Sequence, residues 1–162
     1  MIEFLIKMGI PEAYAGDVWL VILFLLLGLA LVFTVNKKNL GALVLSIYVA
    51  YTILSFAYFI PNSGGWKAAL FILLGWFCYI NLRKTFSFSL RGKKLIVFLQ
   101  MLLLSLLAVG MTGSLILEWF SPKELEDFFT SFSHKFLISE KARFIWVALP
   151  FVFMILFKKS RR

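Results

Sequence analysis

The chain has 162 residues, of which 62% are hydrophobic, and it carries a formal net charge of +9. Its mean hydropathy is +0.94. A soluble domain of this length has no interior large enough to hide so much apolar surface, so the composition excludes an ordinary soluble domain and indicates a membrane protein. The single cysteine, Cys78, lies in an apolar run, where we interpret it as a small buried hydrophobe.

Residues 1–16 contain both polar and apolar side chains, and we interpret them as a segment at the membrane interface. Their one apolar run, Phe4–Ile6, is too short for the core of a signal peptide, and no basic side chain precedes it. Ala13–Ala15 followed by Gly16 resembles a signal-peptidase site, so a cleaved signal stays open as the alternative. Asp17 is expected at the start of the first helix, as its N-cap or as a first-turn acid.

Five apolar stretches predict five membrane-spanning helices, because a helix rises ~1.5 Å per residue and the hydrocarbon core is ~30 Å thick. They are Val18–Val35, Leu40–Ile60, Trp66–Leu82, Leu95–Leu117 and Ala142–Phe157. The first is almost entirely aliphatic or Phe and is expected to be peripheral. The last contains Pro150, which predicts a kink. The predicted fold is therefore an all-α, polytopic, single membrane domain over residues 1–162.

The second stretch contains no charged residue, yet it has a polar stripe. Its members fall within about a third of the circumference of a helix turning ~100° per residue, and they are Tyr48, Tyr51, Thr52, Ser55 and Tyr58. Because hydroxyls facing lipid cost free energy, we expect other helices to cover this face, with the second helix at the centre of the bundle. Ser105, Ala108 and Thr112 of the fourth stretch are the predicted partner surface. The alternative is that the stripe lines a polar passage.

Residues 121–137 are predicted to form an amphipathic helix. Ser121–Glu124 has the pattern of a capping box with proline at the first helical position. The apolar residues that follow recur at helical spacing: Leu125, Phe128, Phe129, Phe132 and Phe136. Such a helix is expected to lie in the outer membrane interface with its phenylalanines towards the lipid. Docking onto a protein partner is the alternative.

The charged residues predict the orientation of the chain. With the amino terminus outside, the inner segments hold eleven of the seventeen basic residues, and all eight acidic residues fall outside. The inner basic residues are Lys37, Lys38, Arg83, Lys84, Arg91, Lys93, Lys94, Lys158, Lys159, Arg161 and Arg162. By the positive-inside rule the carboxyl terminus is then cytoplasmic. The basic excess indicates contact with anionic lipid at the inner face rather than with nucleic acid.

The sequence contains no common catalytic or nucleotide-binding motif, and no predicted span has an ionisable residue near its middle. Neither a cofactor nor a metal site is predicted. The only histidine, His134, shares the segment 118–141 with Glu124 and Asp127, so an acid–base or metal site is conceivable there. A solvated polar face is the preferred interpretation of these residues.

The order of these features along Asp17–Phe136 has a counterpart in a known family. Asp17 leads the first span, a short basic turn follows, and the second span begins Leu40-Gly41-Ala42. A basic connector then precedes the fourth span, and an acidic segment follows the aromatic pair Trp119-Phe120. This order resembles the colicin V production family of small bacterial inner-membrane proteins. The resemblance implies a non-enzymatic envelope protein tied to secretion or envelope maintenance, without catalytic residues.

These observations predict a non-catalytic scaffold or subunit of an envelope assembly in the inner membrane. Its expected partners are the lipid bilayer and either another membrane protein or a second copy of itself. Two alternatives remain: a small channel or facilitator lined by Tyr48, Thr52, Ser55 and Ser105, and an enzyme acting on lipid headgroups through Glu124, Asp127 and His134.

Overall fold

The computed structural model describes residues 11–57, 60, 63–86, 90, 93–121 and 134–157. Within these ranges the fold is all-α, with no β-strand. The helices are α1 (Glu12–Thr34), α2 (Leu40–Ser55), α3 (Gly64–Thr85), α4 (Lys94–Leu117) and α5 (Glu140–Phe157), and a π-helical turn at His134–Ile138 precedes α5. A helix therefore lies over each of the five apolar stretches of the sequence.

The first helix begins earlier than the sequence pattern predicts. Pro11 has φ −57° and ψ 138°, and the helix starts directly after it at Glu12. Proline has no amide hydrogen to donate. It is tolerated at the start of a helix because amides there have no hydrogen-bond partner within the helix. Asp17 consequently lies inside α1, where it is only 9% exposed, and the prediction that it caps the helix is wrong. Of the predicted interfacial segment 1–16, residues 1–10 lie outside the described part of the chain.

The second helix ends five residues before the predicted boundary at Ile60. After Ser55 the backbone bonds tighten to three-residue spacing: the Phe56 amide contacts the Ile53 carbonyl at 3.3 Å, and the Ala57 amide contacts the Leu54 carbonyl at 3.1 Å. Such tightening is a common end to an α-helix. The apolar composition continues to Ile60, so composition alone placed the boundary too late.

Helix α4 is the centre of the bundle, because it contacts each of the other four helices. The prediction that α2 is central is therefore wrong, although α2 packs closely on α3 and also contacts α4. Side chains from these two helices fill the core, and each is less than 2% exposed: Leu40 and Val44 from α2, and Leu104, Met111 and Leu115 from α4. Ser105 and Ala108 lie buried beside them, as expected for the small residues that let helices approach.

Three helical segments are long and apolar enough to cross a membrane: Asp17–Thr34, Gly64–Thr85 and Lys94–Leu117. Helix α2 is apolar but shorter, with 16 residues. Large apolar side chains are exposed over much of α1, α3 and α5. Examples are Leu26, Phe33, Leu73, Trp76, Phe77, Phe144, Ile155 and Leu156, each at least 55% exposed. Helix α1 is peripheral, as predicted, since it packs mainly on α4.

Candidate functional site

Two tyrosines of the predicted polar stripe reach across to other parts of the bundle. The Tyr48 hydroxyl donates a hydrogen bond to the backbone carbonyl of Val147 on α5. Val147 lies three residues before Pro150 on α5. The Tyr51 hydroxyl donates to a carboxylate oxygen of Glu118, just after α4, at 3.1 Å.

The other members of the stripe behave differently. Thr52 and Ser55 are exposed, and their hydroxyls donate to the carbonyls four residues earlier on the same helix, at 2.8 Å and 2.9 Å. Such bonds satisfy a hydroxyl inside an apolar environment without any partner helix. Tyr58 lies outside the described residues. The stripe is therefore interhelical at Tyr48 and Tyr51, and confined to its own helix at Thr52 and Ser55.

Glu118 and Arg143 form the only ion pair among the residues that the structure describes. Arg143 Nη1 lies 2.8 Å from Glu118 Oε1, while the second carboxylate oxygen, Oε2, accepts the hydrogen bond from Tyr51. The two charged side chains are 26% and 27% exposed, so water screens the pair only in part. We call these three residues the Tyr51–Glu118–Arg143 cluster. It joins α2, the end of α4 and the start of α5.

An aromatic group covers this cluster. The Trp119 ring stacks on the Tyr51 ring, with 6.3 Å between centroids and 23° between planes. The Phe71 ring of α3 meets Trp119 edge-on at 5.3 Å. Gly64, the first residue of α3, lies so close that a Cβ there would be 2.7 Å from the Trp119 carbonyl oxygen. The start of α3 is thereby brought against the cluster, and the rings reduce its contact with water.

The π-helical turn is held by side chains of α4 and α5 that donate to three consecutive carbonyls. Ser114 Oγ donates to the Leu137 carbonyl at 2.7 Å, and Trp146 Nε1 donates to the Phe136 carbonyl at 2.9 Å. The third contact, from Arg143 Nη2 to the Ile138 carbonyl, is long at 3.5 Å. Ser139 follows the turn and caps α5, since its Oγ accepts the Ala142 amide at 3.3 Å.

The predicted amphipathic helix over residues 121–137 lies mostly outside the described part of the chain. Of its apolar face, Leu125, Phe128, Phe129 and Phe132 are not described. Phe136 is described, and it belongs to the π-helical turn rather than to an α-helix. Its side chain is 46% exposed, and its ring meets the Trp146 ring edge-on at 5.3 Å.

The Tyr51–Glu118–Arg143 cluster brings together the groups of an acid–base site, but its atoms are directed at one another. Both carboxylate oxygens have partners within the cluster. Within the cluster, the buried Arg143 Nε has no hydrogen-bond partner among the described residues. Among those same residues, no group of three or more His, Cys, Asp or Glu could hold a metal ion. The arrangement ties helices together and leaves no carboxylate oxygen without a partner.

Sequence reasoning missed this cluster. The charge distribution places both Glu118 and Arg143 on the outer side, but they are 25 positions apart and no local pattern pairs them. The available signal was that each stands at the end of an apolar stretch, on the same side of the predicted membrane.

The chain matches no protein-family model, and comparison with curated protein sequences and with solved structures gave no match.

Proposed function

We propose that the chain is a polytopic membrane protein with five spanning helices, its amino terminus outside and its carboxyl terminus in the cytoplasm. The exposed apolar side chains of α1, α3 and α5 support this proposal, because water around them would cost ~25 cal/mol for each Å² left exposed. The distribution of basic and acidic residues supports the orientation.

Helices α2 and α5 differ from a simple apolar span, because α2 is short and α5 begins with charged residues, but both are compatible with crossing a membrane. Helix α2 has 16 residues, or about 24 Å at ~1.5 Å per residue, and the turn that follows it adds apolar length. Helix α5 carries Glu140, Lys141 and Arg143 in its first turn, where the headgroup region would receive them. The ion pair with Glu118 neutralises the innermost of these charges.

Within the membrane, the proposed role is that of a non-catalytic scaffold or subunit of an envelope or secretion-related assembly. The observation that carries it is the Tyr51–Glu118–Arg143 cluster, whose charged groups pair with each other and connect three elements of the bundle. An enzyme needs such groups to be open to a substrate. The resemblance in span order to the colicin V production family is the reason for naming an envelope assembly.

The channel alternative receives less support from the contacts. Its proposed lining includes Thr52 and Ser55, whose hydroxyls already bond to their own helix. Tyr48 is engaged with the Val147 carbonyl. Of the residues named for the lipid-acting enzyme, Glu124 and Asp127 lie outside the described part of the chain.

The orientation predicts the location of the carboxyl terminus. A reporter fused after Arg162 should be active only in its cytoplasmic form, and one inserted at Ser63, between α2 and α3, only in its external form. Paired fusions of alkaline phosphatase and green fluorescent protein make the measurement. External activity of the Arg162 fusion would overturn the proposed orientation.

The scaffold role predicts that another protein contacts residues 121–137, the segment with the predicted amphipathic pattern. A photoactivated crosslinker at Phe128 or at Phe136 should yield the same discrete protein adduct in native membranes. The matched control is Phe77 on α3, which is 66% exposed and predicted to face lipid. Lipid adducts alone at all three positions would contradict the scaffold proposal.

A further inference from the structure

A groove runs between the end of α1 and the beginning of α4. Its volume is about 380 Å³. The residues lining it are Val32, Phe33, Lys37, Lys94, Val97, Phe98 and Met101. Phe33 is 79% exposed and Phe98 is 38% exposed, so the apolar wall of the groove is accessible from outside the bundle. In the proposed orientation this is the cytoplasmic side of the membrane.

The groove is polar at one end and apolar along the rest. Lys37 comes from the turn after α1 and Lys94 is the first residue of α4, so two separate elements supply its positive charge. Neither lysine has an ion-pair partner among the described residues. The other lining residues, Val32, Phe33, Val97, Phe98 and Met101, carry no polar side chain. A ligand that fills the groove therefore needs an anionic group at the lysine end and an apolar part along the rest.

The beginning of α4 strengthens the positive end. No described side chain caps its first amides, and its first turn contains no acidic residue. The first amides of a helix have no partner within the helix, and the helix dipole places partial positive charge there. A phosphate is the usual kind of group that accepts from such amides while pairing with lysines.

We propose that this groove binds an anionic phospholipid of the inner leaflet. Its headgroup phosphate lies against Lys37, Lys94 and the first amides of α4, and an acyl chain lies along Phe33, Val97 and Met101. The apolar wall is the reason for choosing a lipid over a free phosphate or a nucleic acid, because those ligands would leave the wall uncovered. This inference rests on the proposed membrane location and orientation.

The charged end is tested by native mass spectrometry of the full chain in detergent micelles with added phosphatidylglycerol. The variant Lys37→Gln with Lys94→Gln should bind this lipid about 30-fold more weakly, which converts to about 2 kcal/mol, or about 1 kcal/mol for each lysine. The matched control is Lys38→Gln with Lys93→Gln. It removes the same charge from neighbouring exposed positions that do not line the groove, and it should bind almost as tightly as the parent.

The apolar end and the headgroup are tested in the same instrument. Met101→Trp would fill the groove without changing its charge, and it should also lose the bound phosphatidylglycerol. Phosphatidylcholine and inorganic phosphate should each bind the parent protein far more weakly, since one lacks net charge and the other lacks an acyl chain. The proposal would be overturned if the Lys37/Lys94 double variant and the Lys38/Lys93 double variant lost the same affinity for phosphatidylglycerol. It would also be overturned if phosphatidylglycerol and phosphatidylcholine bound the parent protein equally well.

The outcome is separable from that of the proposed function. Lipid binding in micelles does not depend on which way the chain is inserted, whereas the fusions after Arg162 and at Ser63 report only the orientation. A bound lipid with an external carboxyl terminus would overturn the assignment to the inner leaflet. Failure of binding with a cytoplasmic carboxyl terminus would leave the proposed orientation standing without this site.

Discussion

Replacement of Gly110 by alanine should lower the free energy of unfolding by about 3 kcal/mol, at the upper end of the usual cost of overpacking. A Cβ at this position would overlap the Cε3 and Cζ3 atoms of Trp146, whose ring lies directly on the glycine. The measurement is a chemical denaturation curve of the purified chain in detergent micelles.

The large cost follows from how firmly the Trp146 ring is held. Its Nε1 donates to the Phe136 carbonyl, and its ring contacts Phe136 and also Phe24 of α1, at 5.3 Å and 5.5 Å between centroids. Moving the ring away from an alanine methyl group would therefore disturb contacts with both α1 and the π-helical turn. The glycine permits the approach of α5 to α4.

Gly113 provides the matched control on the same helix. A Cβ there would have nothing within 4 Å, so Gly113→Ala should stabilise the protein by up to about 1 kcal/mol through helix propensity alone. Gly28→Ala is intermediate, because the atoms it would meet first belong to the end of the flexible Leu106 side chain. If Gly110→Ala and Gly113→Ala behaved alike, the packing of Trp146 on α4 would be refuted.

Arg143→Leu should destabilise the protein by about 3 kcal/mol, because it leaves the Glu118 carboxylate half-buried with only the Tyr51 hydroxyl as a partner. The figure is at the low end for breaking a buried pair, since both side chains keep about a quarter of their surface exposed. The same denaturation measurement applies. Glu118→Leu should cost a similar amount, because it leaves the guanidinium with only the long contact to the Ile138 carbonyl.

The double variant distinguishes pairing from simple loss of side-chain volume. With both charges removed, the loss should be smaller than the sum of the two single losses by about 2 kcal/mol, the coupling expected of residues in contact. Arg83→Leu is the control: Arg83 is exposed and lies 5.9 Å from the Tyr79 ring centroid. It should change stability by less than about 1 kcal/mol. Additive single losses would show that Glu118 and Arg143 do not interact.

The sequence was informative where composition alone decides the structure. A helix lies over each of the five apolar stretches, and most of the backbone hydrogen bonds of each helix are made within the helix itself. The helix ends were less predictable. Pro11 allowed α1 to begin before Asp17, and the turn after Ser55 formed although the apolar composition continues to Ile60.

The partners of the helices could not be predicted in the same way. Periodicity shows that Tyr48, Tyr51, Thr52 and Ser55 share a face, but not which hydroxyl meets a neighbour and which bonds back to its own helix. The central position of α4 and the pairing of Glu118 with Arg143 depend on contacts between distant parts of the chain. No local pattern in a single sequence records such contacts.

The packing of α1 on α4, rather than on its neighbour in sequence, has a consequence for biosynthesis. About 80 residues separate the end of α1 from the end of α4, and at about 5–20 residues per second their synthesis takes roughly 4 to 17 s. With the proposed membrane insertion, the first helix resides in the bilayer throughout that interval without its final partner. A side-chain set made almost wholly of Leu, Val, Ile and Phe between Val18 and Phe33 allows a lone helix to do so.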